Sequence, residues 1–362
     1  MSYVLALLGF CALIILHEGG HFAAAKAVGM RVEKFSLFFG PMVWSRRRGE
    51  TEYGLGVIPL GGYVKITGMN PEEVPDDPQI AARAYVNQPV WKRIVVIGAG
   101  PVVNLVLAFL ILWAVFMTSG TWNMNKGPLQ VQAVEQGTAA WGKLQPGDTI
   151  VSVGGATTQK RIPAVVDRSR CPGAQTNGCV ADPAVTMTVR RHGKLVTEKL
   201  HPRYSAALKR QEIGFEYGHA GVHYQLDAGG AAGHSLSTMG NEVSLVVTKL
   251  SQIYKSADRK QFHSVVGGYA MVQQATQASA AEGFGILAIV SLALGFMNLF
   301  PFLPLDGGHI FWALYEKVRG RKVSLATMER ASYVGLVLVL GMFVIGFSND
   351  ISTLAHGGNF LR

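Results

Sequence analysis

Charge is what this sequence has least of: 15% of its 362 residues are Asp, Glu, Lys or Arg, against roughly a quarter in soluble globular domains. With 49% hydrophobic residues and a positive mean hydropathy, the chain does not read as an ordinary soluble protein. The deficit is concentrated in four uncharged runs, Met1–Leu16, Ile94–Asn125, Gly283–Leu305 and Ala331–Asn349. The last three reach or approach the ~20 residues that a helix needs to cross a bilayer; the first is shorter, but continues to about Val28. Basic residues are missing from the start as well, none preceding Lys26. A cleaved signal peptide would carry a basic n-region, and cleavage near Ala23–Ala25 would discard His17 and His21, so the segment is expected to remain. The net charge of +10 comes with spread basic residues and no nucleic-acid motif, which argues against a nucleic-acid partner. No inverted repeat is visible, which argues against a transporter. Cysteine is scarce, with three residues. Cys11 falls in the first apolar run and reads as packing. Cys171 and Cys179 flank a Gly/Pro/Asn-rich loop where a disulfide is as plausible as two free thiols, since sequence separation does not fix Cβ geometry.

The first run leads into Leu16-His17-Glu18-Gly19-Gly20-His21-Phe22. On a helix His17 and His21, four apart, lie on one face and reach one metal ion, with zinc the natural choice for neutral imidazoles. Glu18 stands beside them, where it takes a proton from an activated water. Such a five-residue match also arises by chance. The membrane setting weighs against chance, because histidines and a glutamate inside an apolar segment are costly unless paired or metal-bound. A third ligand is needed. The third run ends Asn298-Leu299-Phe300-Pro301-Phe302-Leu303-Pro304-Leu305-Asp306-Gly307-Gly308-His309, where two prolines break the helix and Asp306 comes directly after apolar residues. Asp306 is the leading candidate; His309, its rival, reads more simply as a polar residue opening the next segment.

The expected fold is a polytopic α-helical membrane protein of about four spans. Residues 1–28 form the first span with the metal motif, 29–93 a cytoplasmic-side β-hairpin region and loop, and 94–117 the second span. Residues 126–205 form a compact β-rich domain, and 206–282 a connecting segment with an amphipathic helix. The third span is 283–305, then a cytoplasmic segment 306–330 and a fourth span 331–349. The hairpin is expected within Thr51–Thr67, turning at Pro59-Leu60-Gly61-Gly62; it is either a small cytoplasmic sheet or one that dips into the membrane region. Gly54 and Gly56 in it allow close approach of another backbone. In the second span, Asn104 is expected to hydrogen-bond across helices, with a catalytic role as the less favoured alternative. In the β-rich domain, LQVQAV, TIVSV, Val185–Val189 and Leu195–Leu200 read as strands, GTAAWGKL as a short helix, and Thr157–Pro183 as an irregular insertion. In the connecting segment Val243, Val246, Val247, Leu250, Ile253 and Tyr254 share a helical face. Residues 23–93 carry ten Lys or Arg, and Lys317, Arg319, Arg321, Lys322 and Arg330 lie between the last two runs. Positive loops stay cytoplasmic, which places the N-terminus and the β-rich domain outside.

HEGGH in a first span, a glycine-bearing β segment and N-x-x-P-x-x-P-L-D-G late in the chain together resemble the site-2 protease family of intramembrane zinc metalloproteases. Within it the chain is most similar to bacterial regulator-of-sigma-E proteases. The resemblance implies zinc (Zn2+) as cofactor, His17, His21 and Asp306 as its ligands, and Glu18 as catalytic base. It also implies substrate binding by Asn298 and by the G-x-G of Gly54 and Gly56, on a β-loop that takes substrate as an added strand. The LQPGD turn and its strands resemble an extracytoplasmic PDZ domain; one is evident here, where the enterobacterial relative has two. The implied partners are the lipid bilayer of a bacterial inner (plasma) membrane and a single-span membrane protein substrate, such as an anti-sigma factor after a first-site cut or a remnant signal peptide. The alternative is a non-catalytic PDZ-bearing membrane scaffold, which would not need Glu18 and Asp306 intact.

Overall fold

The computed structural model describes residues 2–123, 125–252, 262–321, 323–355 and 358–360. Ile253, Tyr254 and Lys322 lie outside the described residues. The chain divides into two compact units, residues 1–119 with 226–362, and residues 120–225.

The first unit is helical, with one sheet. Among the described residues four helices are long and apolar enough to cross a membrane. They belong to α1 (Ser2–Ala27), α3 (Val90–Ser119), α7 (Ala280–Asn298) and α9 (Leu325–Ala355). Apolar residues are spread around both α1 and α7, interrupted by His17, Glu18, His21 and Lys26 in α1 and by Glu282, Ser291 and Asn298 in α7. Shorter elements join them: α2 (Pro78–Ala81), α5 (Ala228–Ser251), α6 (Val265–Ala278) and α8 (Asp306–Arg319). The capping residues are polar side chains at chain bends. Asp227 accepts from the Gly230 N–H at the start of α5, and Ser264 from the Val266 N–H at the start of α6, each satisfying an orphan helix donor. Neither the extent of α5, which begins fifteen residues before the expected face at Val243, nor α6 is signalled by strong apolar periodicity. Val247 of that face is 49% exposed. The Trp113 indole donates to the Ala228 carbonyl at 3.0 Å, so the end of α3 and the start of α5 are neighbours.

The hairpin expected inside Thr51–Thr67 does not form. Strand β2 (Thr51–Ile66) pairs throughout with β1 (Val32–Arg48), across a tight turn at Gly49–Glu50. The register has three parts. Ser45–Arg48 opposes Thr51–Gly54, and Phe35–Leu37 opposes Gly62–Val64, both antiparallel; between them Lys34–Leu37 also aligns with Glu52–Leu55, the numbers rising together. Residues 52–55 are therefore flanked on both sides, while Met42–Arg48 and Gly61–Ile66 form the outer edges. The cause is the kink at Phe38 and Gly40, both with positive φ, which folds β1 back on itself so that its two halves embrace the first half of β2. A Cβ at Gly56 would lie 2.4 Å from the Phe39 carbonyl oxygen, and one at Gly54 2.5 Å from Met42 Sδ. Both glycines thus serve this internal packing. Glu50 at the turn holds the sheet to the end of α1, accepting from Lys26 at 2.6 Å and from both terminal nitrogens of Arg83 at 2.8 Å.

The second unit is built on a five-stranded sheet in the order β10-β4-β5-β6-β7. The strands are β4 (Leu129–Val134), β5 (Thr149–Val153), β6 (Val185–Arg191), β7 (Lys194–Leu200) and β10 (Phe215–His219). Short pairs flank it: β3 (Thr121–Asn123) with β11 (Val222–Tyr224), and β8 (Arg203–Ser205) with β9 (Arg210–Glu212). Leu129, Val131, Ile150, Val153, Met187, Val189 and Leu200 alternate inward and close the core with Ile162 and Val166 of α4 (Ile162–Val166). The unit therefore runs past the expected boundary at residue 205, because β10 returns to pair with β4. GTAAWGKL forms turns rather than a helix, its Gly137 and Gly142 at positive φ. Cys171 and Cys179 are paired, with Cα atoms 6.1 Å apart. Asp148 of the LQPGD turn accepts from Arg191 at 2.6 and 2.8 Å and from the Gln145 N–H. Burial would raise the pKa of this carboxyl, but these donors outweigh it and hold the value below the ordinary carboxylate range. A cavity of about 560 Å³ lies beside β10 and the end of β4, lined by Ile162, Pro163 and Val166 of α4 and by Val134, Ile213, Phe215 and Tyr217.

Candidate metal centre

α1 carries His17 and His21 on one face, and both are nearly buried, 8% and 7% exposed. Their Nε2 atoms are 3.4 Å apart. Asp306, the first residue of α8, reaches in from the other side, its Oδ2 lying 3.4 Å from His17 Nε2 and 3.3 Å from His21 Nε2. Ligands at 2.0–2.1 Å from a tetrahedral zinc stand roughly 3.3–3.4 Å from one another. The three atoms thus form one face of such a tetrahedron, leaving a fourth position. Among the described residues this is the one His/Cys/Asp/Glu group close enough to hold an ion, and Asp306 Oδ2 is buried without a hydrogen-bond partner. A buried, unpaired carboxylate oxygen facing two imidazole nitrogens fits a cation.

Three features hold these side chains in place. The His21 Nδ1–H donates to the Val96 carbonyl of α3 at 2.9 Å, which fixes the tautomer and leaves Nε2 for the ion. Gly100, one turn along α3, makes room: a Cβ there would lie 2.3 Å from His21 Nε2. The prolines after α7 break the chain so that α8 restarts at Asp306, where the helix dipole favours a carboxylate. Arg93 of α3 then pairs with Glu316 of α8 at 2.7 Å, both side chains about nine-tenths buried, and locks α8 against the helix that orients His21.

Glu18 is half-buried next to His17, and the outer edge of β2 comes against it at Gly62. A Cβ at Gly62 would lie 2.9 Å from Glu18 Cγ and 3.4 Å from Ile14. Gly54 and Gly56 are not at that edge: Gly54 is paired on both sides, and Gly56 pairs with Met42 and lies against the Phe38 and Phe39 carbonyls. The expectation of an added strand at Gly54 and Gly56 is corrected accordingly: the glycine of the edge beside Glu18 is Gly62, part of a stretch that reads in sequence only as a turn. Asn298 closes α7, half-buried, and His309 is half-buried one turn into α8; neither belongs to the three-residue group. Val96 and Gly100 are invisible to motif reading, the first because its backbone acts, the second because Gly98-Ala99-Gly100-Pro101 reads as generic helix packing.

Comparison with known proteins gives one consistent result. Residues 5–342 match the model of peptidase family M50. The chain is 30% identical to zinc metalloprotease Rip1 of Mycobacterium tuberculosis, over 96% of each chain, and the Mycobacterium bovis Rip1 gives the same figures. A Campylobacter jejuni relative is 29% identical over 98% of this chain and 94% of its own length.

Proposed function

The chain belongs to peptidase family M50 and is a zinc metalloendopeptidase with several membrane helices, and we propose that it cleaves peptide bonds within the spans of single-span membrane proteins. The observation that carries this reading is the burial of His17, His21 and Asp306 among apolar helices, with Glu18 set between them and an open strand edge. His17, His21 and Asp306 hold the zinc. When bound, zinc acts as a Lewis acid toward the scissile carbonyl and the attacking water. Glu18 takes the proton from that water and delivers it to the departing amine nitrogen, a general base turned general acid.

A substrate helix hides its carbonyls in i to i−4 hydrogen bonds and must unwind before it is cut. The edge at Gly61–Ile66 offers unpaired backbone groups to replace those bonds, as a strand added to the sheet. The tip of the sheet supports a position within the membrane: Phe39, Val43, Trp44, Val57 and Ile58 are exposed and apolar, and non-helical backbone at that depth is tolerated beside a protein cavity. Asn298, between α7 and the Asp306 turn, helps to hold the unwound segment. The substrate is an anti-sigma-factor-like protein shortened by a first cut, or a remnant signal peptide, in a bacterial inner membrane. The basic segments lie on the cytoplasmic side and residues 120–225 outside. That unit is a PDZ domain whose peptide groove is the cavity along β10, and its bulk rejects substrates that still carry a folded outer domain. Reconstituted protein should cut a labelled single-span substrate in vesicles, and Glu18→Gln should not. Equal cleavage by both would defeat the proposal.

A further inference from the structure

The two imidazoles of the zinc site, as read above, are supported unequally. His21 Nδ1–H has the Val96 carbonyl, whereas His17 Nδ1 is buried with no partner. An imidazole that binds zinc through Nε2 carries its proton on Nδ1, and a buried N–H without an acceptor is costly, by about 1–3 kcal/mol. Asn104 of α3, outside the ligand set, is complementary. It is fully buried, and both its Oδ1 and Nδ2 lack partners, a double deficit that a helix interior rarely tolerates.

The packing of α1 against α3 sets the two residues at one level. Ala25 clusters with Val96 and Ile97; His21 meets Val96 and Gly100; Gly20 faces Ala99 and Val103; Leu13 lies in the cluster that Leu107 packs against. The numbers fall along α1 as they rise along α3, so the helices are antiparallel. One turn back from His21 is His17, and one turn on from Gly100 is Asn104. Side chains on a helix lean toward its N-terminus, which aims the Asn104 amide back toward the level of Gly100 and the ligands. On its other flank Asn104 is fixed: Ser291 Oγ of α7 donates to its backbone carbonyl at 2.9 Å, and a Cβ at Gly295 would lie 3.1 Å from Asn104 Cβ.

Resting on the zinc-site reading, we propose that Asn104 is the positioning residue for His17, its Oδ1 accepting the His17 Nδ1–H in the zinc-loaded protein as the Val96 carbonyl accepts that of His21. It touches neither zinc nor substrate and acts through His17 alone.

The test is the rate at which the purified protein loses zinc to a chelator, read together with the visible spectrum of the cobalt-substituted site. Asn104→Leu keeps the volume and removes the acceptor; it should release zinc about tenfold to a hundredfold faster and shift the cobalt bands. Asn104→Asp restores the acceptor and should return both readouts close to those of the unaltered protein. Ser291→Ala disturbs the same helix contact and should change neither. If Asn104→Leu does not accumulate, Asn104→Ser, too short to reach His17, should give the same faster release. Zinc release and cobalt spectrum unchanged in Asn104→Leu or Asn104→Ser would overturn the assignment, and so would equal weakening in Asn104→Leu and Asn104→Asp. Zinc absent from the unaltered protein would instead refute the metal site itself.

Discussion

Replacing Gly100 by alanine adds one methyl group to α3, and the structure gives the consequence in distances. The new Cβ would stand 2.3 Å from His21 Nε2 and 2.6 Å from Cε1, whereas relaxed contacts between heavy atoms lie near 3.5–4.0 Å. About 1 Å of relief is needed. The His21 ring is pinned to Val96 by its other nitrogen, so the movement falls on the Nε2 end, the one proposed to bind zinc. Ligand distances tolerate about 0.2 Å, so zinc should be lost and cleavage with it. Overpacking in the fold should cost only about 1–3 kcal/mol, partly offset by the ~1 kcal/mol that alanine gains over glycine in a helix. Gly98→Ala is the control: its Cβ would meet only Ile310 Cδ1, at 3.9 Å, and the variant should keep full zinc and activity. The assay is zinc per chain by elemental analysis of detergent-purified protein, with thermal unfolding to show that both variants fold. A folded Gly100→Ala protein with full zinc and normal cleavage would refute the reasoning.

Gly62→Ala places a methyl 2.9 Å from Glu18 Cγ and from the Ser36 carbonyl oxygen; cleavage should fall at least tenfold with zinc content unchanged, and loss of zinc instead would separate this edge from Glu18. Joining Ser119 to Leu226 through a short linker removes the second unit, a deletion that the adjacency of Trp113 and Ala228 makes feasible. The shortened enzyme should cut full-length substrate that the complete enzyme rejects, and continued rejection would rule out a steric filter. Glu50 supplies a pH test. The Arg83 guanidinium, helped by Lys26, holds its pKa down to about 2. Its stabilisation is therefore fully present above the ordinary carboxylate range and is lost as the pH falls through about 2. With the side chain 29% exposed, screening limits the contribution to about 1 kcal/mol. The thermal midpoint of Glu50→Gln should lie below that of the unaltered protein at pH 6 and converge with it toward pH 2; a gap independent of pH would contradict the assignment.

Local features of this chain are legible in its sequence, and non-local ones are not. His17 and His21 can be read because helical spacing is local, and Asp306 because a carboxylate ending an apolar, proline-broken run demands a partner. The spans follow from composition. The sheet escapes sequence reading because β1 pairs with β2 by folding back at Phe38 and Gly40, a non-local register that alternation within Thr51–Thr67 does not encode. The same cause hides β10, whose partner β4 lies about 80 residues earlier. Gly100 and Val96 act through an absent side chain and a backbone carbonyl, which no residue-type motif displays.

The central proposal is that His17, His21 and Asp306, whose ligand atoms converge, hold one zinc while Glu18 works beside it. X-ray absorption at the zinc edge of purified Glu18→Gln protein, which should keep its metal, tests this most directly. The expected result is one zinc per chain, with two imidazole nitrogens and light oxygen ligands at about 2.0–2.2 Å. A zinc bound through sulfur, a single imidazole, or the same spectrum in an Asp306→Ala, His17→Ala protein would contradict it.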